Sequence, residues 1–193
     1  MSTTTARFVM RIPEGWTKYD LTGGQLAATA AQETAGVDDP QLRAGLEDGY
    51  RQAEELLRAY VRDGALAASG LIEMYEDGLL MAFVTVFATR LPQGYEDDVA
   101  ALLRPDGARR AGPGRTAAAV DLPEAGAAVR VTATERVPLP DGHAVDMLTV
   151  NTFVAIPDAP GEHLVVSCAT PNLAHAEALT GLFDAVTATF RFV

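Results

Sequence analysis

The sequence predicts an α+β fold, an antiparallel sheet of about seven strands flanked by helices that include a long charged helix and a C-terminal helix. Two strand-like runs flank Asp77-Gly78, which is the strongest short-range signal for a β-hairpin. Further alternating runs are joined by tight turns. Apolar residues between Asp39 and Asp63 recur at helical spacing. Strands that follow one another through turns, with the helices kept apart from them, are typical of the α+β class.

The elements alternate little between helix and strand, so most of the sheet connections are expected to be antiparallel. Residues 7–12 predict a first strand, which Pro13 ends. The helix that follows Asp39 has one apolar stripe, and its opposite face carries arginine, glutamate and aspartate. In order, the other predicted elements are an alanine-rich helix 20–35, hairpin strands 69–76 and 79–89, a short helix 92–103, a loop 104–115, and strands 116–122, 127–137 and 144–156.

The last thirty-one residues, 163–193, predict the unit around which the chain is organised. An apolar strand comes first, and Thr170-Pro171-Asn172 is expected to end it and to begin a helix, because Thr or Asn can cap a helix. Apolar side chains then recur every three or four positions and are expected to lie on the sheet, whereas Glu177 and Asp184 are expected to stay in water. These apolar positions are Leu179, Leu182, Phe183, Val186 and Phe190.

Length, charge and cysteine usage predict one cytoplasmic domain spanning residues 1–193. A chain of this length buries roughly 70% of its unfolded surface, so it can build a core without metal or disulfide. The formal charge of −11 repels phosphate backbones and anionic lipid, so neither nucleic acid nor a membrane is an expected partner. The longest apolar run, 79–88, is about half the roughly 20 residues that a membrane helix needs. No secretion signal is recognised, and the lone Cys168 suits a reducing compartment.

Few residues are candidates for chemistry. Cys168 is one, since a cysteine near histidine can be an activated nucleophile, but a small buried hydrophobe in a strand is the preferred interpretation. His143, His163 and His175 lack the spacing of zinc ligands and are expected to be solvated surface side chains. The sequence contains no GxSxG, P-loop or HExxH motif. We therefore expect no catalytic residue, no cofactor and no metal.

An arginine-rich loop is the candidate partner-binding site. Arg104, Arg109, Arg110 and Arg115 lie close together in the sequence. Guanidinium groups pair well with carboxylates, so this loop could grip an acidic partner surface or an anionic peptide. The alternative is an ordinary solvated loop, which is what most charged runs form.

The two ends of the chain resemble those of the PsbP-like superfamily, with its DcrB- and LpqN-type relatives. The opening residues 8–16 (FVMRIPEGW) resemble its strand, Pro, Gly and Trp entry, and residues 182–192 (LFDAVTATFRF) resemble its final helix and Phe element. Similar ends occur in actinobacterial proteins. The resemblance implies the same α+β fold and a role in binding other proteins. The lack of a signal and of an acylated cysteine is a departure from the lipoprotein members, and the long charged helix between Asp39 and Asp63 is a departure from all members.

These observations predict a non-catalytic protein-binding accessory, an adaptor or chaperone-like protein that binds a partner or forms a homodimer. The alternative is an apolar small-ligand carrier, with a cavity between the sheet and the C-terminal helix. Interior volume distinguishes the two, because a carrier needs an apolar void and a binding module does not.

Overall fold

The computed structural model describes residues 6–21, 25–75, 78–90, 114–138 and 143–193. The predicted helix 92–103 lies outside these residues. In chain order, the described elements are β1 (Phe8–Val9), β2 (Thr17–Lys18), α1 (Gln25–Thr34), α2 (Pro40–Arg62), β3 (Ala65–Tyr75), β4 (Gly78–Arg90), β5 (Arg115–Leu122), β6 (Gly126–Pro138), β7 (Ala144–Ala155), β8 (Glu162–Thr170), α3 (Ala176–Thr187) and β9 (Arg191–Phe192).

Seven strands form one antiparallel sheet in the order β2-β3-β4-β8-β7-β6-β5. The predicted hairpin is confirmed as β3–β4, with a register that runs from Ala65↔Phe87 to Tyr75↔Gly78. β8 lies between β4 and β7 and therefore joins this hairpin to the β5–β6–β7 meander. The α+β fold with an antiparallel sheet of about seven strands, a long charged helix and a C-terminal helix is thus confirmed.

The first strand differs from its prediction, because it is shorter and does not belong to this sheet. β1 pairs with β9, so that Phe8 lies opposite Phe192, and β2 takes the seventh place in the main sheet. β1 already ends at Val9, before Pro13, which has no N–H with which a strand ladder could continue. The segment instead crosses the sheet, where the ring of Phe8 stacks on that of Phe190 with centroids 5.6 Å apart.

One face of the sheet, called face one, is covered by α3. Phe183 and Phe190 are fully buried there. The sequence predicted Phe190 as part of the C-terminal helix. It instead follows the end of α3, yet its side chain still enters the core. Burial of a side chain of this size contributes roughly 1.5–3 kcal/mol, so a twelve-residue helix is firmly held. The buried residues of face one include Val84, Val86, Val150, Val154, Leu164, Val166, Cys168, Leu179 and Val186.

The opposite face, called face two, is covered over β3 and β4 by α1 and α2. The predicted helix is confirmed as α2, and Asp39 caps it by accepting from the N–H groups of Gln41 (2.8 Å) and Leu42 (3.4 Å). Gly64, at φ +87°, ends it in the left-handed conformation that favours glycine. The buried residues of face two include Tyr19, Leu26, Tyr50, Ala53, Leu57, Ala68, Met81 and Phe83.

Candidate functional site

The predicted arginine site is described only at one end. Arg104, Arg109 and Arg110 lie outside the described residues, so their role as partner contacts stays a prediction. Arg115 does not lie in a loop but is the first residue of β5. Its exposed guanidinium forms an ion pair with Glu135 on the neighbouring strand β6. The strand therefore fixes the position of Arg115 along the outer edge of the sheet.

The thiol of Cys168 is enclosed, in agreement with the preferred interpretation of this residue. Its side chain is fully buried on face one, and its sulfur forms a long hydrogen bond with Thr187 Oγ1 at 3.9 Å. Burial raises the pKa of the Cys168 thiol to about 12. Because the thiolate is the nucleophile, a protonated and inaccessible thiol does not support covalent catalysis.

The three histidines lie apart, and one of them differs from the prediction. His143 and His175 are exposed, but His163 is buried in β8, because it lies between β4 and β7 in the middle of the sheet. Its Nδ1 has no hydrogen-bond partner among the residues that the structure describes. Within the described ranges, no three His, Cys, Asp or Glu side chains come close enough to hold a metal ion.

An apolar depression, here called the N-terminal groove, lies between the N-terminal segment and the edge of the sheet. Its volume is about 460 Å³. Val9 and Leu66, which line it, are 41% and 42% exposed, so the depression presents large apolar side chains to solvent. The lining residues are Phe8, Val9, Met10, Ile12, Lys18, Tyr19, Leu21, Leu66, Ala67, Ala68, Ser69, Val84 and Val86.

Two incompletely paired strand edges border the N-terminal groove. β2 covers β3 at only two positions, with Thr17 opposite Gly70 and Lys18 opposite Ser69, and the Tyr19 N–H extends the contact to Ala68 O at 2.9 Å. No other described strand covers the remainder of that β3 edge. β1 is likewise paired on one side, by β9. Unpaired strand edges present N–H and C=O groups that can bond another extended chain.

The rim of the groove is positively charged, although the protein as a whole is acidic. Lys18 lines the groove, and Arg7 and Arg11 are exposed on the segment that forms its wall. In the part of the chain that the structure describes, none of these three forms an ion pair with a carboxylate. Phe8, Met10 and Ile12, which line the groove, lie in the same short run of sequence as Arg7 and Arg11. The groove therefore combines an apolar floor with cationic margins.

A second depression, here called the hairpin cleft, lies between the end of the β3–β4 hairpin and the start of α3. It is open to solvent and has a volume of about 300 Å³. The interior between the sheet and α3 is filled by the side chains of face one, so this space lies at the rim of the core. The lining residues are Tyr75, Gly78, Leu79, Leu80, Asn172, His175, Ala178 and Leu179.

Asn172 fixes one wall of the hairpin cleft, because its side-chain amide forms the hydrogen bonds to β4 that the backbone of a neighbouring strand would otherwise form. Its Nδ2 donates to Leu79 O (2.7 Å), and the Met81 N–H donates to Asn172 Oδ1 (2.8 Å). Thr170 Oγ1 donates to Met81 O (2.6 Å). The amide thus extends the pairing of β4 with β8 past its last backbone pair. It makes no cap bond to the following helix, which corrects the prediction that the Thr-Pro-Asn turn supplies a helix cap.

The N-terminal groove and the hairpin cleft were not found by the sequence reasoning. Residues 7–12 were predicted only as a first strand that ends at Pro13, and that prediction did not point to a groove. The groove exists because the segment instead leaves the sheet, and this depends on its distant pairing with β9.

Comparison of the sequence with models of known protein families and with curated proteins finds no match. The PsbP-like resemblance of the two ends therefore stays a prediction. Among the described helices, none is both long and apolar enough to cross a membrane. The function must be inferred from the geometry of the two depressions and of the sheet edges.

Proposed function

We propose that the protein is a protein-binding accessory, adaptor or chaperone-like, whose N-terminal groove receives an extended apolar segment of a partner. One observation carries the proposal: an apolar depression of about 460 Å³ is bordered by two strands with incompletely paired edges. A partner segment in strand conformation can bond to such an edge while alternate side chains enter the groove. The PsbP-like resemblance, which implies protein binding, supports the same function.

The energetics of this binding mode suit a reversible accessory. A net backbone hydrogen bond contributes about 0.5–1.5 kcal/mol, and a buried valine or leucine contributes about 1.5–3 kcal/mol. Three such bonds and two such side chains give roughly 5–10 kcal/mol before the cost of ordering the segment. After that cost, the affinity is expected to be micromolar or weaker.

Charge favours a segment that carries carboxylates between its apolar residues. Lys18, Arg7 and Arg11 surround the groove and have no carboxylate partner among the described residues. A basic segment would meet like charge there. Electrostatic complementarity of this kind chooses between partners more than it adds raw affinity.

The test is the binding of two labelled peptides, followed by fluorescence anisotropy. In one peptide valine alternates with glutamate, and in the other valine alternates with lysine. We expect the acidic peptide to bind and the basic one to bind at least about tenfold more weakly. Leu66→Asp places a carboxylate on the lip of the groove, so it is expected to abolish binding of the acidic peptide.

Leu173→Asp is the matched control. Leu173 is 39% exposed, close to the value for Leu66, and lies outside the groove. This variant should bind as the unmodified protein does. Equal binding of both peptides, or unchanged binding by Leu66→Asp, would contradict the proposal.

The apolar small-ligand carrier stays the second candidate, and the hairpin cleft is the observation that favours it. Its volume of about 300 Å³ lies at the lower limit of typical ligand pockets, and its walls are mostly apolar. Leu80→Trp is expected to fill the cleft. The measurement is the binding of an apolar fluorescent probe such as anilinonaphthalene sulfonate. If the probe binds the unmodified protein and Leu80→Trp removes that binding, the result favours the carrier function over the accessory function.

A cytoplasmic location and a lack of nucleic-acid partners form part of the same proposal. The single cysteine of the sequence is reduced and buried, which suits a reducing compartment. The formal charge of −11 opposes binding to phosphate backbones.

A further inference from the structure

The outer strand β5 presents a long, regular edge at the side of the sheet away from the N-terminal groove. All eight residues of β5 pair with β6 in an unbroken register, from Arg115↔Ala133 to Leu122↔Gly126. No described strand pairs with its other edge. An edge of this length offers a row of N–H and C=O groups to another strand.

β5 also lacks the features that usually protect an edge strand. Proteins shield such edges with proline, a β-bulge or a charge that points inward. The stretch between Arg115 and Asp121 has no proline and no charge, and its register shows no bulge. Its central side chains, Ala118 and Ala119, are small and exposed, so no described side chain of β5 hinders the approach of a second strand there.

The charges at the two ends of β5 are complementary to those of the same strand run in the opposite direction. Arg115 and Asp121 are six positions apart, so both lie on face two. When two copies of β5 pair antiparallel about Ala118, Arg115 of each copy lies opposite Asp121 of the other. Both side chains are exposed. Arg115 also pairs with Glu135 of its own chain, and Asp121 forms no ion pair with any described residue. Shifting the register by two residues loses both charge pairs.

We propose that the protein forms a two-fold symmetric homodimer in which two β5 strands pair antiparallel, centred on Ala118, and join the two sheets into one. The contact is isologous, since the same strand is offered by each copy. A different partner strand would need a matching charge at each end, whereas a second copy supplies both by symmetry. The proposal does not involve the N-terminal groove, which lies at the opposite edge of the sheet.

Charge exchange tests the register. We expect the unmodified protein to sediment as a dimer of 20.4 kDa chains at micromolar concentration. In the dimer, Arg115→Glu and Asp121→Arg each replace both symmetry-related Arg115–Asp121 pairs by pairs of like charge. Each substitution should therefore raise the dimer dissociation constant at least about tenfold. Combining the two substitutions restores the complementarity and should restore the dimer. A monomeric unmodified protein, or a double variant no better than the single ones, would overturn the proposal.

A cysteine at the symmetry axis gives an independent test that does not depend on charge. Directly opposed residues of an antiparallel pair have Cα atoms about 4.5–5.5 Å apart, which is within disulfide range. Ala118→Cys should therefore form a covalent dimer on mild oxidation, and the native Cys168 cannot interfere because it is fully buried. Ala119→Cys is the matched control. In this register the two copies of residue 119 are diagonal neighbours about 7–8 Å apart and should cross-link far less. Equal cross-linking of both variants, or none of Ala118→Cys, would refute the pairing.

Discussion

The two faces of the sheet are covered by helices of opposite character. α3 has twelve residues and covers face one with fully buried side chains such as Phe183. α2 has twenty-three residues, and its inward side includes Tyr50 and the buried carboxylate of Glu54, which pairs with Arg58 at 3.3 Å. A short apolar helix thus covers its face by close packing, whereas the long helix combines packing with polar groups. The stability of face one should depend more on single side chains.

The largest expected effect comes from removing an aromatic ring from face one. Phe183→Ala leaves a large cavity in a fully packed region, so it should lower the free energy of unfolding by about 3–5 kcal/mol. Leu57→Ala on face two should cost about 2 kcal/mol, because Leu57 already borders a small void beside Tyr60. Urea denaturation measures both. Equal losses would mean that the two faces are packed equally well.

Alkaline pH should act on both faces, because burial raises the pKa of Cys168 on face one and the pKa values of Tyr19, Tyr50 and Tyr60 on or beside face two. Burial raises the pKa of the Cys168 thiol from 9.0 to about 12 on face one, and burial raises that of Tyr60 from 10.0 to about 12 beside face two. Above pH 9 the unfolded thiol loses its proton while the folded one keeps it, so stability falls as pH rises. For Tyr60 the same loss begins only above pH 10.

The variants Cys168→Ala and Tyr60→Phe separate these contributions. At pH 11, Cys168→Ala should remove up to about 3 kcal/mol of the alkaline loss, and Tyr60→Phe should remove about 1 kcal/mol. Unfolding curves at pH 8, 9, 10 and 11 provide the measurement. If neither variant changes the slope of stability against pH, then these groups titrate normally and the predicted contrast is wrong.

Gly70 tests how closely the backbone is approached on face two. A Cβ at this position would lie 2.8 Å from Ala82 O, from the ring of Phe83 and from the hydroxyl of Tyr19. Gly70→Ala should therefore cost about 1–3 kcal/mol. Gly45→Ala in α2 is the control, because its Cβ meets open space, and it should stabilise the protein by up to about 1 kcal/mol. A neutral Gly70→Ala would show that β3 can shift.

The smallest expected effect is the difference in stability between removing an ion pair of α3 and removing one of α2. Asp184 of α3 contacts the guanidinium of Arg130 at 2.6 Å, and that arginine side chain is only 16% exposed. Asp184→Asn should cost about 1 kcal/mol. Asp48 pairs with Arg51 on the exposed side of α2, so Asp48→Asn should change stability by less than about 0.5 kcal/mol. Thermal unfolding of both variants provides the comparison, and a larger effect at Asp48 would reverse it.

The sequence predicted the elements whose periodicity is long and regular. α2 and the apolar face of α3 were found from spacing, because their buried sides repeat over many residues, and the β3–β4 hairpin was found from its Asp-Gly turn between two strand-like runs. The Asp184 side chain is 45% exposed, in line with the expectation that it stays in water, but its contact with Arg130 was not predicted. The partner in this pair lies on β6, and no local pattern specifies a contact so distant in the chain.

Short and non-local features could not be predicted. β2 and β9 have only two residues each, which is too few to show any period. The amide of Asn172 was assigned to a helix cap by local rules, whereas a distant strand uses it. Of the predicted site, only Arg115 is described. Its proposed role depends on its position at the start of the edge strand β5, and the number of arginines in the sequence does not reveal that position.

The position of β8 in the sheet has a consequence for synthesis on the ribosome. β8 is the last of the seven strands in chain order, but it is the one that joins the two halves of the sheet. The edges of β4 and β7 therefore stay uncovered while most of the chain emerges, and both are apolar. Such exposed edges are prone to pairing between nascent chains. Completion of the fold then depends on contacts of high sequence separation, which form slowly.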